Sequence, residues 1–211
     1  MGDYIAINRE AYELTADEFV EKIELRAAAT KDAIDALCGF IDARFSNPSV
    51  LELGPGSGYS LKLFSEKGYK ASGIEFSQKM ADVAKKTSGV EIIVDEFLAH
   101  DFGNTKFSAV FAMAFIHLFP YGDCIKVLNK MHDLLHDKGL VYVSTTLHET
   151  SGEGYCGKVN FKGQPLRFRK LFTRNELETM LSECRFRTVH KSDWQDVESP
   201  RTWMRYIVEK A

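Results

Sequence analysis

Hydrophobic positions along the chain change period twice. Thr15-x-x-Glu18 has the form of a capping box just ahead of Phe19, Val20 and Ile23. Ile34, Leu37, Cys38, Ile41 and Phe45 then recur at helical spacing until Asn47-Pro48 stops them, so two helical stretches are predicted before residue 48. From there short apolar runs alternate with helical stripes. Val50-Leu51-Glu52-Leu53 reads as a buried strand ending at Gly54, and a helix carrying Leu61 and Phe64 follows to Gly68. A strand at Lys70 to Glu75, a helix opened by Ser77 with Met80, Ala81 and Ala84 on one face, and strands at Val90 to Val94 and Phe107 to Met113 continue the alternation. The helix from Asp123 carries Cys124, Val127, Leu128, Met131, Leu134 and Leu135 and is expected to end at Gly139, ahead of a strand at Leu140 to Thr146. Alternating strands and helices imply a parallel sheet covered on both faces.

Residues 147 to 172 break that rhythm, and a connection of this length implies a lid or a small hairpin. Val159-Asn160-Phe161 and Leu166-Arg167-Phe168, around Gly163, are the expected hairpin strands. A second capping box, Thr173-x-x-Glu176, opens a helix with Leu177, Met180 and Leu181, and strands around Phe186 to His190 and Trp203 to Val208 close the chain. The expected organisation is one domain, with a helical cap over residues 1 to 47, a core over 48 to 146, an insertion over 147 to 172 and a closing helix and strand pair over 173 to 211.

Composition narrows the class. The 211 residues are 45% hydrophobic, enough for one sizeable core, and no apolar run approaches the roughly 18 residues of a membrane span. Met1-Gly2-Asp3-Tyr4 is acidic and polar, so no secretory signal is expected, and Ala6 stands where a myristoylation motif has Ser or Thr. Lys and Arg number 27 against 30 Asp and Glu, which excludes a polycation that coats nucleic acid. Cys38, Cys124, Cys156 and Cys184 are scattered, which argues against a zinc site or disulfide framework and makes a reducing, cytoplasmic setting the expectation. The histidines show no metal-ligand spacing, so no metal is expected.

The chemistry concentrates after the first strand of the sheet. Glu52-Leu53-Gly54-Pro55-Gly56-Ser57-Gly58 sits where a nucleotide-binding turn must sit, and its glycines let a ligand approach the backbone. The spacing is G-x-G-x-G. A dinucleotide fingerprint needs G-x-G-x-x-G and a phosphate-binding P-loop needs Lys-Ser/Thr, so a nicotinamide dehydrogenase is a minor rival. Glu52 is a poor neighbour for pyrophosphate and a reasonable one for a ligand with an ammonium or sulfonium charge. Seventeen residues past Gly58, Glu75 ends the second strand, where a carboxylate can accept from both hydroxyls of a ribose, and Phe76 is placed to lie against a purine.

At these residues the sequence resembles the class I S-adenosylmethionine-dependent methyltransferases, from about Tyr12 to the C-terminus. Val50 to Gly58 is similar to the family's first motif and Gly73 to Met80 to its second. The resemblance implies a Rossmann-like, doubly wound, seven-stranded mostly parallel sheet with a C-terminal antiparallel pair. It also implies that Gly54, Gly56 and Gly58 line the methionine half of the cofactor, Glu75 takes the ribose diol, and Phe76 and Met80 flank the adenine. The acidic and apolar pair after the third strand falls on Asp95-Glu96-Phe97, with Glu96 favoured over Asp95 for the adenine amino group and Phe97 offering its N–H. The segment Phe107 to Leu118, including Ala112, passes under the cofactor's methionine end. Tyr12 and Phe19 resemble an aromatic segment that folds over the cofactor in related enzymes. Ser108 stands where the family usually has Asp, and Arg185 where it has Gly, which predicts a less sharply turned helix end.

His117, just past the fourth strand, is the first candidate for a base, with His148 and Tyr155 as substrate-side alternatives. Between Glu153 and Glu176 there is no acidic residue, while Lys158, Lys162, Arg167, Arg169, Lys170 and Arg174 interleave with Tyr155, Phe161, Phe168 and Phe172. Such a stretch suits an anionic substrate, an RNA, or a lid whose aromatic residues pack inward while the basic ones face water. The lid is favoured. The expectation is methyl transfer from S-adenosylmethionine to nitrogen or oxygen of a small-molecule acceptor. The alternatives are a tRNA-base methyltransferase, because residues 148 onward also resemble wobble-uridine tRNA methyltransferases, and a catalytically silent cofactor-binding protein.

Overall fold

The computed structural model describes residues 3 to 196 and 200 to 211. The reading of Met1-Gly2 lies outside them. The chain runs α1 (Tyr4–Glu21), α2 (Ile23–Asp42), β1 (Ser49–Leu53), α3 (Tyr59–Glu66), β2 (Lys70–Glu75), α4 (Gln78–Ser88), β3 (Ile92–Val94), β4 (Phe107–Met113) and a 3-10 turn (Ile116–Leu118). It continues with α5 (Tyr121–Asp133), β5 (Leu135–Thr146), β6 (Gly152–Gly157), β7 (Leu166–Leu171), α6 (Arg174–Glu183), β8 (Phe186–Gln195) and β9 (Thr202–Lys210). Seven strands form one sheet in the order β3-β2-β1-β4-β5-β9-β8. β1 to β5 pair in parallel, and β9 enters antiparallel to both β5 and β8. The order reverses at β1, and the space outside the carboxyl ends of β1 and β4 is where such a sheet opens a crevice.

Strand periodicity divides the core. Val50, Ala109, Phe111, Tyr142 and Ile207 face α2, whose Ile34, Leu37 and Ile41 are fully buried at helical spacing. Leu51, Leu53, Val110, Val141 and Met204 point to the other face, under α5 and α6. α2 is therefore a layer of the sheet, and only α1 lies as a cap across the carboxyl ends of the strands.

Four local expectations differ from the structure. Thr15 does not cap a helix: α1 starts twelve residues earlier on Asp3, whose side chain accepts from Ile5 and Ala6, and the Thr15 hydroxyl donates to the Ala11 carbonyl at 2.8 Å inside the helix. The hairpin is made by β6 with β7, pairing Gly152 with Leu171 and Gly157 with Leu166, so Val159 to Phe161 belong to its tip. α5 ends at Asp133, and Leu135 already pairs with Phe107 before residues 136 to 139 bulge out of the ladder, with Lys138 left-handed at φ +61. Arg185 makes the sharp turn that a glycine would make, at φ +63, a conformation costing about 1 kcal/mol for a side chain.

Other signals act as read. Ser77 accepts from the Met80 N–H and Thr173 from the Glu176 N–H, each capping its helix. Ser108 and Ser49 exchange hydrogen bonds between side chain and backbone across β4 and β1, replacing the carboxylate usual at that position.

Candidate active site

The glycine turn takes the left-handed backbone that its composition permits. Gly54, Gly56 and Gly58 have φ of +63, +56 and +80, all left-handed. Their roles differ. Gly54 and Gly56 line a cavity of about 280 Å³, near the lower end of the roughly 300 to 1,000 Å³ of ligand pockets. Gly58 does not line it. A Cβ there would lie 2.3 Å from the Ala84 carbonyl oxygen, so Gly58 lets α4 pack against the start of α3. Ala112 is likewise fully buried in the core beneath the cavity rather than on its wall.

Two buried carboxylates flank the turn. Glu52 accepts a short hydrogen bond from the Ser60 hydroxyl, while its Oε2 is buried without a partner. Burial pushes its carboxyl up to about 8, with the Ser60 bond pulling the other way. Glu75 accepts from the Ser77 N–H at 3.0 Å, and burial pushes it up to about 7 against the N–H bonds of Ser77 and Phe76. An unsatisfied carboxylate oxygen inside a cavity costs free energy until a donor or a cation meets it.

At the end of β3 both acidic candidates line the cavity. Asp95 is held by His100 at 2.9 Å and accepts from the Glu96 N–H at 2.8 Å, and these bonds keep its carboxyl below the usual range. Glu96 forms an ion pair with Arg9 of α1 through Oε1. Phe76, Met80 and Phe97 complete this wall.

α1 is tied across the opening at intervals of about one turn. Besides Arg9, Glu13 accepts from the Ser77 hydroxyl at 2.8 Å, and Glu18 accepts from the Lys162 N–H at 3.1 Å. Asn8, 2% exposed, donates to the Leu118 carbonyl at 3.1 Å and accepts from the Phe168 N–H at 2.7 Å. Tyr12 stands between Phe76 and Phe19, at 6.0 and 5.9 Å between ring centroids, and Phe19 stacks on Phe161 of the hairpin tip at 5.0 Å.

The hairpin reverses the expected orientation of its charges. Lys158, Arg169 and Lys170 are buried, not solvated. The Lys158 ammonium is 4.0, 4.3 and 3.7 Å from the ring centres of Tyr12, Phe19 and Phe161 and donates to Thr15 Oγ1 at 2.7 Å. Burial, then Arg167 and Arg26, push it down to about 6, while the ring faces favour the cation. Lys170 bonds Glu176 at 2.8 Å, and Arg174 pairs with Asp193 at 2.7 Å.

His117 lines the cavity, 2% exposed, with Nδ1 3.1 Å from Thr145 Oγ1 and its ring 6.1 Å from Trp203. Ala114, left-handed at φ +58, turns the chain off β4 towards it. Burial, then Arg169 and Arg167, hold its imidazole well below the usual histidine range. The other two sequence candidates lie elsewhere. His148 is off the cavity wall, its Nε2 2.8 Å from Thr146 Oγ1, and Tyr155 is 41% exposed and packs edge-on against Phe168. The sequence reading missed Asn8, Arg201, Trp203 and Arg205 in this site and named Lys158 only within the basic stretch. Among the described residues no His, Cys, Asp and Glu cluster could hold a metal, and no helix is long and apolar enough to cross a membrane.

This geometry has counterparts. Residues 50 to 139 match a family model described as a methyltransferase domain. An uncharacterized methyltransferase of Alkaliphilus oremlandii is 31% identical over 102 residues, 48% of this chain and 47% of that protein, so the match spans about half the length of either. The fold is that of a magnesium protoporphyrin IX methyltransferase from Synechocystis with bound S-adenosylmethionine, at TM-score 0.73 and 12% identity over 100% of this chain and 99% of that one. It is also that of the 1,6-didemethyltoxoflavin-N1-methyltransferase of Burkholderia thailandensis, solved with S-adenosylhomocysteine, at TM-score 0.69 and 19% identity over 99% and 89%. Residues 50 to 139 thus match a methyltransferase domain, and the fold is the one these methyltransferases share.

Proposed function

We propose that this chain is an S-adenosylmethionine-dependent methyltransferase that moves a methyl group to nitrogen or oxygen of a small-molecule acceptor enclosed between the carboxyl ends of the strands, α1 and the hairpin. The carrying observation is the pair of buried carboxylates, Glu52 and Glu75, on either side of a left-handed glycine turn in one cavity. The fit is chemical. Glu75 offers acceptor oxygens for a diol, Phe76 and Met80 offer apolar faces for a purine, and Glu96 offers an acceptor for its amino group. The orphaned Glu52 oxygen is a partner for a cation, directly or through water. Gly54 and Gly56 leave the backbone open to the amino-acid end.

S-adenosylmethionine supplies an already activated donor, a methyl carbon that the acceptor's lone pair attacks while the carbon–sulfur bond breaks towards sulfur. The chain then has to align the acceptor, exclude water and handle a proton where the acceptor carries one. α1 and the hairpin tip do the excluding, through Asn8, Glu18, Phe19 and Phe161. His117 is the proposed proton acceptor. It is neutral near pH 7 because its environment resists the imidazolium, which leaves a ring nitrogen free of a proton.

The turned-in Lys158, Arg169 and Lys170 favour a small acceptor over tRNA, since the basic stretch keeps few of its charges for a phosphate backbone. The test is conversion of S-adenosylmethionine to S-adenosylhomocysteine with a panel of small amines, phenols and carboxylates and with bulk tRNA, each at low and moderate salt. Turnover with a small acceptor that changes little with salt is expected; turnover with tRNA alone, falling steeply with salt, overturns the reading.

A further inference from the structure

One cavity carries opposite charge at its two ends. Glu52, Glu75, Asp95 and Glu96 line the end over β1, β2 and β3. The end over β4, β5 and β9 is lined by Arg167 and Arg169 of the hairpin, Arg201 ahead of β9, and Arg205, with Trp194, Trp203 and His117. Asp196 is the carboxylate on that wall, and Arg205 is taken up by Asp32 of α2 at 2.5 Å and by the Ala29 carbonyl at 3.2 Å. Burial, then the charges of Arg167 and Arg201, lower the Arg169 guanidinium to about 10, against smaller opposing effects of Cys156 and Tyr12.

Several donors at this end have nothing to donate to. Arg169 is 7% exposed, and although its Nη2 reaches Thr146 Oγ1 at 2.7 Å, its Nε is buried without a partner. The Arg167 Nε and the Trp203 indole N–H are buried and unpartnered as well. A buried cation beside half-buried ones, with orphaned N–H groups among them, is costly, and an anion that accepts from them removes the cost. Guanidinium groups match a planar carboxylate in particular. Trp194 and Trp203, directly opposite each other on β8 and β9, add flat apolar surface beside the arginines.

Resting on the methyl-transfer reading above, we propose that this end is the acceptor subsite and takes a planar aromatic carboxylate, its anion on Arg167 and Arg169 and its ring against Trp203. His117 sits between the two ends, because β4 runs beside β1 and delivers the histidine next to the strand that carries Glu52. The anion would also relieve the repulsion that Arg169 and Arg167 exert on His117, raising its proton affinity once the acceptor is in place.

The test is equilibrium binding to the full chain of four probes, 4-hydroxybenzoate, 4-hydroxybenzamide, phenyl phosphate and inorganic phosphate, with and without S-adenosylhomocysteine. 4-Hydroxybenzoate should bind at least about tenfold more tightly than its amide and than inorganic phosphate, the scale of one charge-assisted hydrogen bond. Phenyl phosphate, which shares ring and anion, reports whether a phosphate serves as well as a carboxylate; tighter binding of it overturns the choice of carboxylate. Arg167→Gln and Arg169→Gln should each weaken 4-hydroxybenzoate about tenfold while S-adenosylhomocysteine affinity stays within about twofold, which also shows that the variants are folded. Equal binding of acid and amide, indifference to both arginine changes, or no binding of any probe at millimolar concentration overturns the proposal. The wild type separates the two readings: discrimination between acid and amide by a wild type that binds no S-adenosylhomocysteine overturns the methyl-transfer reading and leaves the anion subsite standing, and cofactor binding without discrimination does the reverse. Glu75→Ala should lose S-adenosylhomocysteine and keep the discrimination.

Discussion

Changing pH between about 6 and about 8 should alter cofactor affinity in a way that identifies its carboxylate. Burial holds the Glu75 carboxyl at about 7. Accepting hydrogen bonds from a diol favours the ionised form, so binding draws the proton off. With a free-protein value of about 7, about one carboxyl in eleven is ionised at pH 6 and about ten in eleven at pH 8. S-adenosylhomocysteine affinity should therefore rise about tenfold, ~1.4 kcal/mol. Glu52, at about 8, adds a second dependence that a sulfonium feels more strongly than a thioether, so S-adenosylmethionine affinity should climb more steeply than that of S-adenosylhomocysteine. Calorimetric titration in two buffers of different ionisation heat reads both the affinity and the proton released. Glu75→Gln should flatten the profile. The unliganded protein should respond with the opposite sign. The folded value of each carboxyl lies above its ordinary 4.5, so its stability contribution is fully present below that value and is lost as pH rises through about 7 and about 8. Stability read by thermal melting should fall by on the order of 3 kcal/mol for Glu75 between about pH 4.5 and about 7, with ~1.4 kcal/mol of it lost above pH 6, and Glu75→Gln should recover it. S-adenosylhomocysteine affinity equal within about twofold at both pH values, with no proton released, refutes this assignment of Glu75.

Three further outcomes follow from the packing. Lys158→Met should raise the melting temperature at pH 7 by an amount corresponding to ~1 kcal/mol or more; because the folded value of Lys158 is depressed, the wild-type deficit shrinks as pH rises from about 6 towards 10.5, and scanning calorimetry against pH shows whether the gain shrinks with it. Gly58→Ala should cost about 2 to 4 kcal/mol, because its Cβ meets the Ala84 backbone, whereas Gly68→Ala, left-handed but in open space, should cost about 1 kcal/mol; urea unfolding of the two variants separates strain from clash. Asn8→Leu should cost about 2 to 3 kcal/mol by orphaning the Leu118 carbonyl and the Phe168 N–H, and hydrogen exchange at Phe168 should accelerate before that of the central sheet.

The carboxylate end of the cavity was legible in the sequence because its signals are local. Left-handed glycines, the Ser77 cap and a carboxylate at a strand end all lie within one β-α-β unit, from Ser49 to Glu75 and on into α4. The Thr15 signature is just as local and misled, since a capping box marks a helix start only where the preceding chain is not helical, and Asp3 had already started α1. β6 was missed for a related reason. Gly152–Gly157 carries three glycines and no buried position, poor strand composition, and it pairs only because Leu166–Leu171 is beside it. Val159 and Phe161 have the better strand propensity, but Phe161 is spent on Phe19 at the hairpin tip. The arginine-lined end could not be read locally. Lys158 meets Thr15 across 143 residues, Arg205 meets Asp32 across 173, and the inward turn of the basic stretch comes from these pairings rather than from its composition.

The most direct test of the account is calorimetric titration of the protein with S-adenosylmethionine and S-adenosylhomocysteine, repeated on Glu75→Ala and Gly56→Val. Glu75→Ala removes the proposed diol acceptor. Gly56→Val puts a branched side chain at φ +56, where a Cβ would already lie 3.4 Å from Phe19. Saturable binding of both compounds by the wild type, abolished in both variants while each still melts cooperatively, is the predicted result. A folded wild type that binds neither compound but binds a nicotinamide dinucleotide would contradict the account at its centre.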